Sequence, residues 1–333
     1  MDGGTDLANS ASRGNTPLPR GHPPGSPDPN SRRSLIAIVG ATASGKSDLA
    51  IDLAQRLGGE VINVDSMQLY RGMDIGTAKL TLAEQRGVPH HLLDIWDVTQ
   101  TASVAEYQRL ADEVITDILA RGKVPVLAGG SGLYVRAALG DLDFPGTDET
   151  VRARLEAELA AGGPAALFER LRAVDPVAAA AILPSNGRRI VRALEVIEIS
   201  GQPFSATMPG YAAGKGGGWP AVQVGLRLPR PELDRRIEAR VDRLFGAGLV
   251  AEVRDLADRH GLREGKTASR ALGYQQVLRH LDGDWSLEQA REETMRATRR
   301  FARRQESWFR RDPRVTWVDA GEGAMGRTLP LVT

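Results

Sequence analysis

The residues best suited to chemistry begin at Gly40. Gly40-Ala41-Thr42-Ala43-Ser44-Gly45-Lys46-Ser47 follows the apolar run Leu35-Ile36-Ala37-Ile38-Val39 and precedes a helix-like pattern with Leu49, Ala50, Leu53, Ala54 and Leu57 on one face. Strand, glycine loop and helix in that order make a P-loop. Its spacing serves anion binding. The glycines let backbone N–H groups turn inward around a phosphate, and the loop ends where the unsatisfied donors and macrodipole of a helix N-terminus point. Lys46 adds a point charge for the outer phosphates, and Ser47 can ligate Mg²⁺. The motif predicts a bound di- or triphosphate, but leaves open which one it is and what becomes of it.

Three further stretches could act with this loop. Asp65 ends the strand-like run Glu60-Val61-Ile62-Asn63-Val64, on the edge where open α/β sheets bind ligands. A carboxylate there can ligate Mg²⁺, act as a base or cap a helix, and position alone does not choose among these. Gly129-Gly130-Ser131-Gly132 follows the buried-strand pattern Val124-Pro125-Val126-Leu127-Ala128. In hydrolysing P-loop proteins such a strand usually ends in the aspartate that holds Mg²⁺. Three glycines around a hydroxyl instead allow close backbone approach to a second phosphate face, with Ser131 as donor; a plain turn is the alternative. Last, Arg296, Arg299, Arg300, Arg303 and Arg304 fall within roughly 140° of one helix face, interleaved with Phe301, Trp308 and Phe309. Such a face is often only solvated. Acidic residues that would pair it within the segment, such as Glu292 and Glu306, are few. An arginine face among aromatics suits a phosphate backbone with unstacked bases, hence structured RNA.

The elements that must position these groups follow from pattern and punctuation. Residues 1–33 are rich in Gly, Pro, Ser and Asn and almost free of large apolar side chains, so a disordered tail is expected. Residues 34–144 and 205–320 read as one α/β core with basic C-terminal helices. Between them, 145–204 shows helices and no strand signal, starting at Thr147-Asp148-Glu149, broken at Gly162-Gly163-Pro164 and at Pro184-Ser185-Asn186-Gly187. Residues 321–333 are set aside as a tail. The 333 residues carry a net charge of +1 and no cysteine, which excludes disulfides, thiolate zinc and thiol nucleophiles. Any nucleic-acid contact must come from a local basic patch. The basic side is nearly all arginine, with five lysines, and genome composition alone could produce that. The five histidines show no zinc-ligand spacing, and His90 and His91 read as structural. No apolar run approaches a membrane span and no secretory leader is visible, so a cytoplasmic protein is expected.

Taken in order, these motifs resemble those of the tRNA dimethylallyltransferases, from about Leu35 to Asp319. The resemblance rests on Gly40–Ser47, on Asp65-Ser66-Met67-Gln68-Leu69-Tyr70-Arg71-Gly72-Met73-Asp74-Ile75-Gly76-Thr77-Ala78-Lys79, and on Gly129-Gly130-Ser131-Gly132-Leu133-Tyr134. It continues through Arg188-Arg189-Ile190-Val191-Arg192-Ala193-Leu194-Glu195-Val196, Ala271-Leu272-Gly273-Tyr274, and Arg303-Arg304-Gln305-Glu306-Ser307-Trp308-Phe309-Arg310. The Asp65–Lys79 stretch is the most specific. Ala41 stands where the family often has proline, and Ser131 where threonine is common.

The resemblance implies an α/β fold, a P-loop NTPase-like parallel sheet flanked by helices, with a helical insertion domain. It implies dimethylallyl diphosphate bound with Mg²⁺ on Gly40, Ala41, Thr42, Ala43, Ser44, Gly45, Lys46 and Ser47, the last as metal ligand. The N6 amine of the adenosine 3′-adjacent to the anticodon would attack the allylic carbon, with Asp65 as general base. Lys46, Ser47 and Ser131 with Arg236, and after it Arg240, would hold the leaving pyrophosphate. The anticodon stem-loop of tRNA would meet Asp65, Ser66, Met67, Gln68 and Ser131, then Arg152, Arg188, Arg189 and Arg192. Arg270, Tyr274, Arg303, Arg304, Trp308 and Arg310 complete that set, on a monomeric protein. Two other readings compete: a P-loop small-molecule or nucleoside kinase, and a non-catalytic RNA-binding NTPase.

Overall fold

The computed structural model describes residues 35–142, 144–207 and 218–333. The tail expected over 1–33 lies outside them, as does most of the glycine-rich stretch before residue 218. The first half of the chain alternates strands and helices: β1 (Leu35–Gly40), α1 (Lys46–Leu57), β2 (Gly59–Asn63), β3 (His90–His91), α2 (Val104–Ala120), β4 (Val124–Ala128) and α3 (Gly132–Ala138). A run of helices follows, α4 (Glu149–Gly162), α5 (Pro164–Val174), α6 (Pro176–Ala181), α7 (Gly187–Ser200) and α8 (Phe204–Thr207). The chain then returns to the sheet with β5 (Ala221–Arg227), α9 (Arg230–Gly246), α10 (Leu249–Arg259), α11 (Tyr274–Leu281), α12 (Leu287–Phe309), β6 (Val315–Asp319) and α13 (Ala324–Val332).

The six strands make one parallel sheet in the order β3-β2-β4-β1-β5-β6. Parallel strands need cover on both faces, and β1 is buried throughout, an uninterrupted apolar run rather than an alternating one. Its side chains still divide by face. Leu35, Ala37 and Val39 join the core beneath α2, α3, α10 and α11, while Ile36 and Ile38 pack under α1 and α13. Burying each of the larger ones, Leu35, Ile36, Ile38 and Val39, is worth about 1.5–3 kcal/mol. Helices α4 to α8 bury Leu155, Leu167, Leu171, Ile190 and Leu194 among themselves, a hydrophobic cluster apart from those of the sheet. Side chains cap three of them: Asp148, at the start the sequence marks, accepts from the Thr150 and Val151 amides, Asp175 from Ala178 and Asn186 from Arg189.

One expectation needs correcting. Residues 321–333 are not a simple tail, because α13 sets Met325, Leu329 and Val332 against the core layer that includes α1. These three recur at helical spacing, in a window short enough for Gly326 and Pro330 to obscure. Among the described residues no helix is long and apolar enough to cross a membrane.

A buried carboxylate secures the far edge of the sheet. Glu60 in β2 is 2% exposed and accepts from Arg121 (2.8 Å), Lys123 (2.6 Å) and His91 (2.7 Å). The Arg121 bonds above all, with Lys123 and His91, hold its carboxyl far below the usual range against the opposing effect of burial. A depressed folded-state pKa contributes stability above the unfolded value, about 4.3, that is lost as pH falls below it. Glu60→Gln should therefore cost about 2 kcal/mol at pH 7. In denaturant titrations the gap from the parent protein should narrow as pH falls through about 4; a gap independent of pH would contradict the pairing.

Candidate active site

Register brings the chemistry together. Ile38 pairs with Ala128, and Ala128 with Asn63, so β1, β4 and β2 run out level with one another. The loops that leave their carboxyl ends carry Gly40–Ser47, Gly129–Ser131 and Asp65. They open on a cavity of about 680 Å³ lined by Thr42, Lys46, Ser47, Asp65, Gln68, Gly129 and Gly130, with Arg236, Arg240 and Arg243 of α9 across from them. This is the ligand edge of an open parallel sheet.

The P-loop holds the backbone its motif requires. Gly40 has φ +138°, and a Cβ there would lie 2.7 Å from the Leu226 carbonyl oxygen. Ala43 and Gly45 also take positive φ, at 64° and 91°. Ser44 is buried, and its hydroxyl has no hydrogen-bond partner among the described residues. An orphaned donor inside a P-loop fits a phosphate oxygen. Lys46 donates to the Ala41 carbonyl at 2.5 Å. Burial first, then the Arg240 charge, bring its ammonium down to about 8, with Asp65 acting in the opposite direction. Among the described residues there is no group of three His, Asp or Glu side chains able to cage a metal. A divalent ion would fit here only as Mg²⁺ does in P-loop proteins, on a hydroxyl such as Ser47 and the ligand's own oxygens.

Asp65 is held by its neighbours. The buried Asn63 side chain accepts from the Asp65 amide (2.9 Å) and donates to the Asp65 and Leu92 carbonyls (3.1 and 3.0 Å). Asp65 Oδ1 in turn accepts from the Met67 amide at 2.9 Å. One carboxylate oxygen thus closes a turn, and the other has no hydrogen bond among the described residues. Ser131 lies beside this turn: its Oγ accepts from the Ser66 amide (3.2 Å) and donates to Ser66 Oγ (3.3 Å). Gln68 donates to the Thr77 carbonyl at 3.2 Å.

Two residues not singled out from the sequence organise the rim. Glu252 of α10 accepts from the amides of Asp74 (3.1 Å), Ile75 (2.6 Å) and Gly76 (3.1 Å), and from Tyr274 Oη (2.5 Å). Gln305 of α12 accepts from the Thr42 amide (2.8 Å) and donates to the Gly130 carbonyl (2.9 Å). Tyr274, expected at tRNA, is fully buried, and its ring fills the space a side chain on Gly76 would need. Burial, and then the Glu252 charge, keep its hydroxyl protonated. It supports the loop and has no surface to offer.

The other expected contacts divide in the same way. Arg152 and Arg192 both bind Glu195 (2.6 and 2.9 Å), which is 0% exposed, and Arg192 also donates to the Pro145 carbonyl at 2.8 Å. Burial alone would raise the Glu195 pKa, but the two guanidiniums bring it down. These arginines anchor the start of the helical segment. Arg188, Arg189, Arg270, Arg303, Arg304 and Arg310 are exposed and enter no ion pair among the described residues. The arginine face of α12 is only partly free. Arg296 pairs with Glu293 (2.9 Å), and Arg299 with Glu238 of α9, which the sequence of α12 could not reveal. Arg300, Arg303 and Arg304 stay exposed, Arg304 with its guanidinium 5.6 Å from the Phe301 ring. Trp308 is half-buried, its indole against the backbone at Gly132.

Helix α9 sorts its charges. Arg236, Arg240 and Arg243, at i, i+4 and i+7, line the cavity. Asp234, Glu238 and Asp242 on the opposite side meet Arg299 and Arg291 of α12. Arg236 is also paired with Glu232 (2.9 Å), whereas Arg240 donates to the Thr77 carbonyl (3.1 Å) and is the arginine whose charge Lys46 feels.

Fold and cavity define a P-loop α/β protein whose cavity lies beside a helix with exposed arginines. The sequence profile of the family described as IPP transferase matches residues 68–312. The chain is 67% identical over 290 residues to the tRNA dimethylallyltransferase of Thermobifida fusca, covering 86% of this chain and 89% of that one. Against the enzyme of the same name from Streptomyces griseus it is 64% identical over 308 residues, covering 91% and 97%. Among solved structures it is similar to the tRNA isopentenylpyrophosphate transferase of Bacillus halodurans, at 45% identity and a TM-score of 0.63, covering 86% and 90% of the two chains. It is also similar to a eukaryotic dimethylallyltransferase acting on tRNA, at 27% identity and a TM-score of 0.74, covering 87% and 74%. The chain belongs to the IPP transferase family, the tRNA dimethylallyltransferases.

The lowered Lys46 pKa makes a prediction about anion binding. A diphosphate favours the charged ammonium, so binding takes up a proton above about 8. Pyrophosphate affinity should therefore fall as pH rises through that value, by at most about tenfold per unit. In Lys46→Met, calorimetry across the same range should show weaker binding without this loss.

Proposed function

We propose that this chain transfers the dimethylallyl group of dimethylallyl diphosphate to the N6 amine of the adenosine 3′-adjacent to the anticodon in tRNA, releasing pyrophosphate. The observation that carries this reading is the company the P-loop keeps. Its neighbouring strand β4 ends in glycines rather than a hydrolytic aspartate, and Asp65 brings one unbonded carboxylate oxygen to the same cavity. A kinase reading would leave the exposed arginines of α12 without a purpose.

In the reaction the N6–carbon bond forms as the allylic carbon–oxygen bond breaks. The N6 proton passes to Asp65, whose other oxygen is fixed by the Met67 amide. The leaving pyrophosphate stays on the P-loop amides and Lys46, faced by Arg240 and Arg236 across the cavity. The Ser47 hydroxyl would hold Mg²⁺, which when bound adds positive charge at the leaving oxygens. The target adenine must leave its stack to reach the cavity, which is least costly in a single-stranded loop. Arg300, Arg303 and Arg304, with Arg310 and the exposed pair Arg188 and Arg189, supply the phosphate contacts in this reading. We take the enzyme to act in the cytoplasm as a monomer.

Labelled dimethylallyl diphosphate incubated with protein and tRNA tests the activity directly; label transferred from ATP instead would favour a kinase. In that assay Asp65→Ala should lower turnover by about 10²–10⁴ while tRNA affinity stays within several-fold. Near-normal turnover would leave Asp65 only its turn-closing role. For the RNA surface, Arg300→Gln/Arg304→Gln should weaken tRNA binding and flatten the slope of log affinity against log salt by up to about one unit per arginine. An unchanged slope would make this face merely solvated.

A further inference from the structure

Gln305 is a buried polar side chain that the proposed chemistry does not use. It is 4% exposed and joins both sides of the cavity, through the Thr42 amide of the P-loop and the Gly130 carbonyl of the loop after β4. The two partners fix the orientation of its amide, since Thr42 N–H needs an acceptor and the Gly130 carbonyl needs a donor. A carboxylate or an apolar group of the same size could serve one of them at most. Room for the bridge exists only because residue 130 is glycine: a Cβ there would lie 2.1 Å from Gln305 Nε2.

The same helix turn carries the RNA-facing charges. Arg303 and Arg304 precede Gln305 and are exposed, while Ala302 and Phe309 on its inner side are buried in the core. Gln305 is thus a direct link between the helix that carries these arginines and the two loops that line the cavity. We infer that Gln305 is a positioning residue that couples occupancy of the arginine face of α12 to the shape of the P-loop, so that tRNA and diphosphate tighten each other's binding. This rests on the tRNA reading above. Linkage makes the effect reciprocal and measurable from either ligand.

The test uses full-length protein, tRNA and inorganic pyrophosphate as the probe of the phosphate site. In the parent protein, saturating tRNA should tighten pyrophosphate binding by about fivefold or more. In Gln305→Met, which keeps the volume and removes both hydrogen bonds, that factor should fall to about one. The KM for dimethylallyl diphosphate should rise by about tenfold, and tRNA affinity without pyrophosphate should stay within about twofold. Gln305→Glu retains the acceptor for Thr42 and loses the donor to Gly130, so it should lose the coupling as well, and it decides the matter should the methionine variant not fold. Coupling that persists in a folded variant would overturn the inference, as would a parent protein that binds both ligands independently. A parent protein that binds pyrophosphate but not tRNA would instead overturn the transferase reading and this inference with it.

Discussion

The aligned ends of three parallel strands are the constraint on which the rest depends. Because Ile38, Ala128 and Asn63 lie level, three loops far apart in sequence leave the sheet at one height and close on one cavity. A slip of one residue in any of these pairings would exchange the faces of a strand, moving its apolar side chains from one core layer to the other. The site is therefore specified by the same alternation that packs Ala37 and Val39 on one side and Ile36 and Ile38 on the other. Its stability and its geometry cannot be varied independently.

A second level of organisation is polar, with Asn63 and Gln305 buried and Glu252 partly so. Asn63 fixes Asp65, Glu252 gathers three consecutive amides of the Asp74–Gly76 turn, and Gln305 ties the P-loop to Gly130. Each answers backbone groups that would otherwise be left without partners near the cavity, where an unmet donor or acceptor costs about 1–3 kcal/mol. Loops this rich in glycine have little packing of their own, and these side chains supply the rigidity that a preorganised anion site needs.

What could be read in the sequence was local. Val124–Ala128, the P-loop and the helix start at Asp148 announce themselves within a few neighbouring residues, and the structure places them where the patterns put them. Glu252 and Gln305 gave no such signal, because their partners lie 176 and 263 residues away; an interior Glu or Gln on an arginine-rich helix looks like any solvated residue. Tyr274 misled for the converse reason. The family resemblance set it at tRNA, yet it is buried against Gly76 and bonded to Glu252 of α10, which its motif does not contain. The acids that neutralise Arg299 came from α9, so a helix face taken alone overstated its free charge. Gln305 did stand inside a motif that carried the family resemblance, which is the one clue that it had work to do.

The sorted charges of α9 give the net charge of +1 a different meaning. With Asp234, Glu238 and Asp242 turned toward α12 and Arg236, Arg240 and Arg243 toward the cavity, the helix presents opposite charge on its two sides. The carboxylates between the two helices are matched by Arg291 and Arg299, so little of their field reaches an approaching polyanion. On the cavity side Arg240 and Arg243 stand with Lys46 close to Asp65, so the positive charge is placed locally in a chain that is almost neutral as a whole. A nucleic acid can thus be drawn to one side of the molecule while the remaining surface avoids the indiscriminate attraction that an overall basic protein would exert.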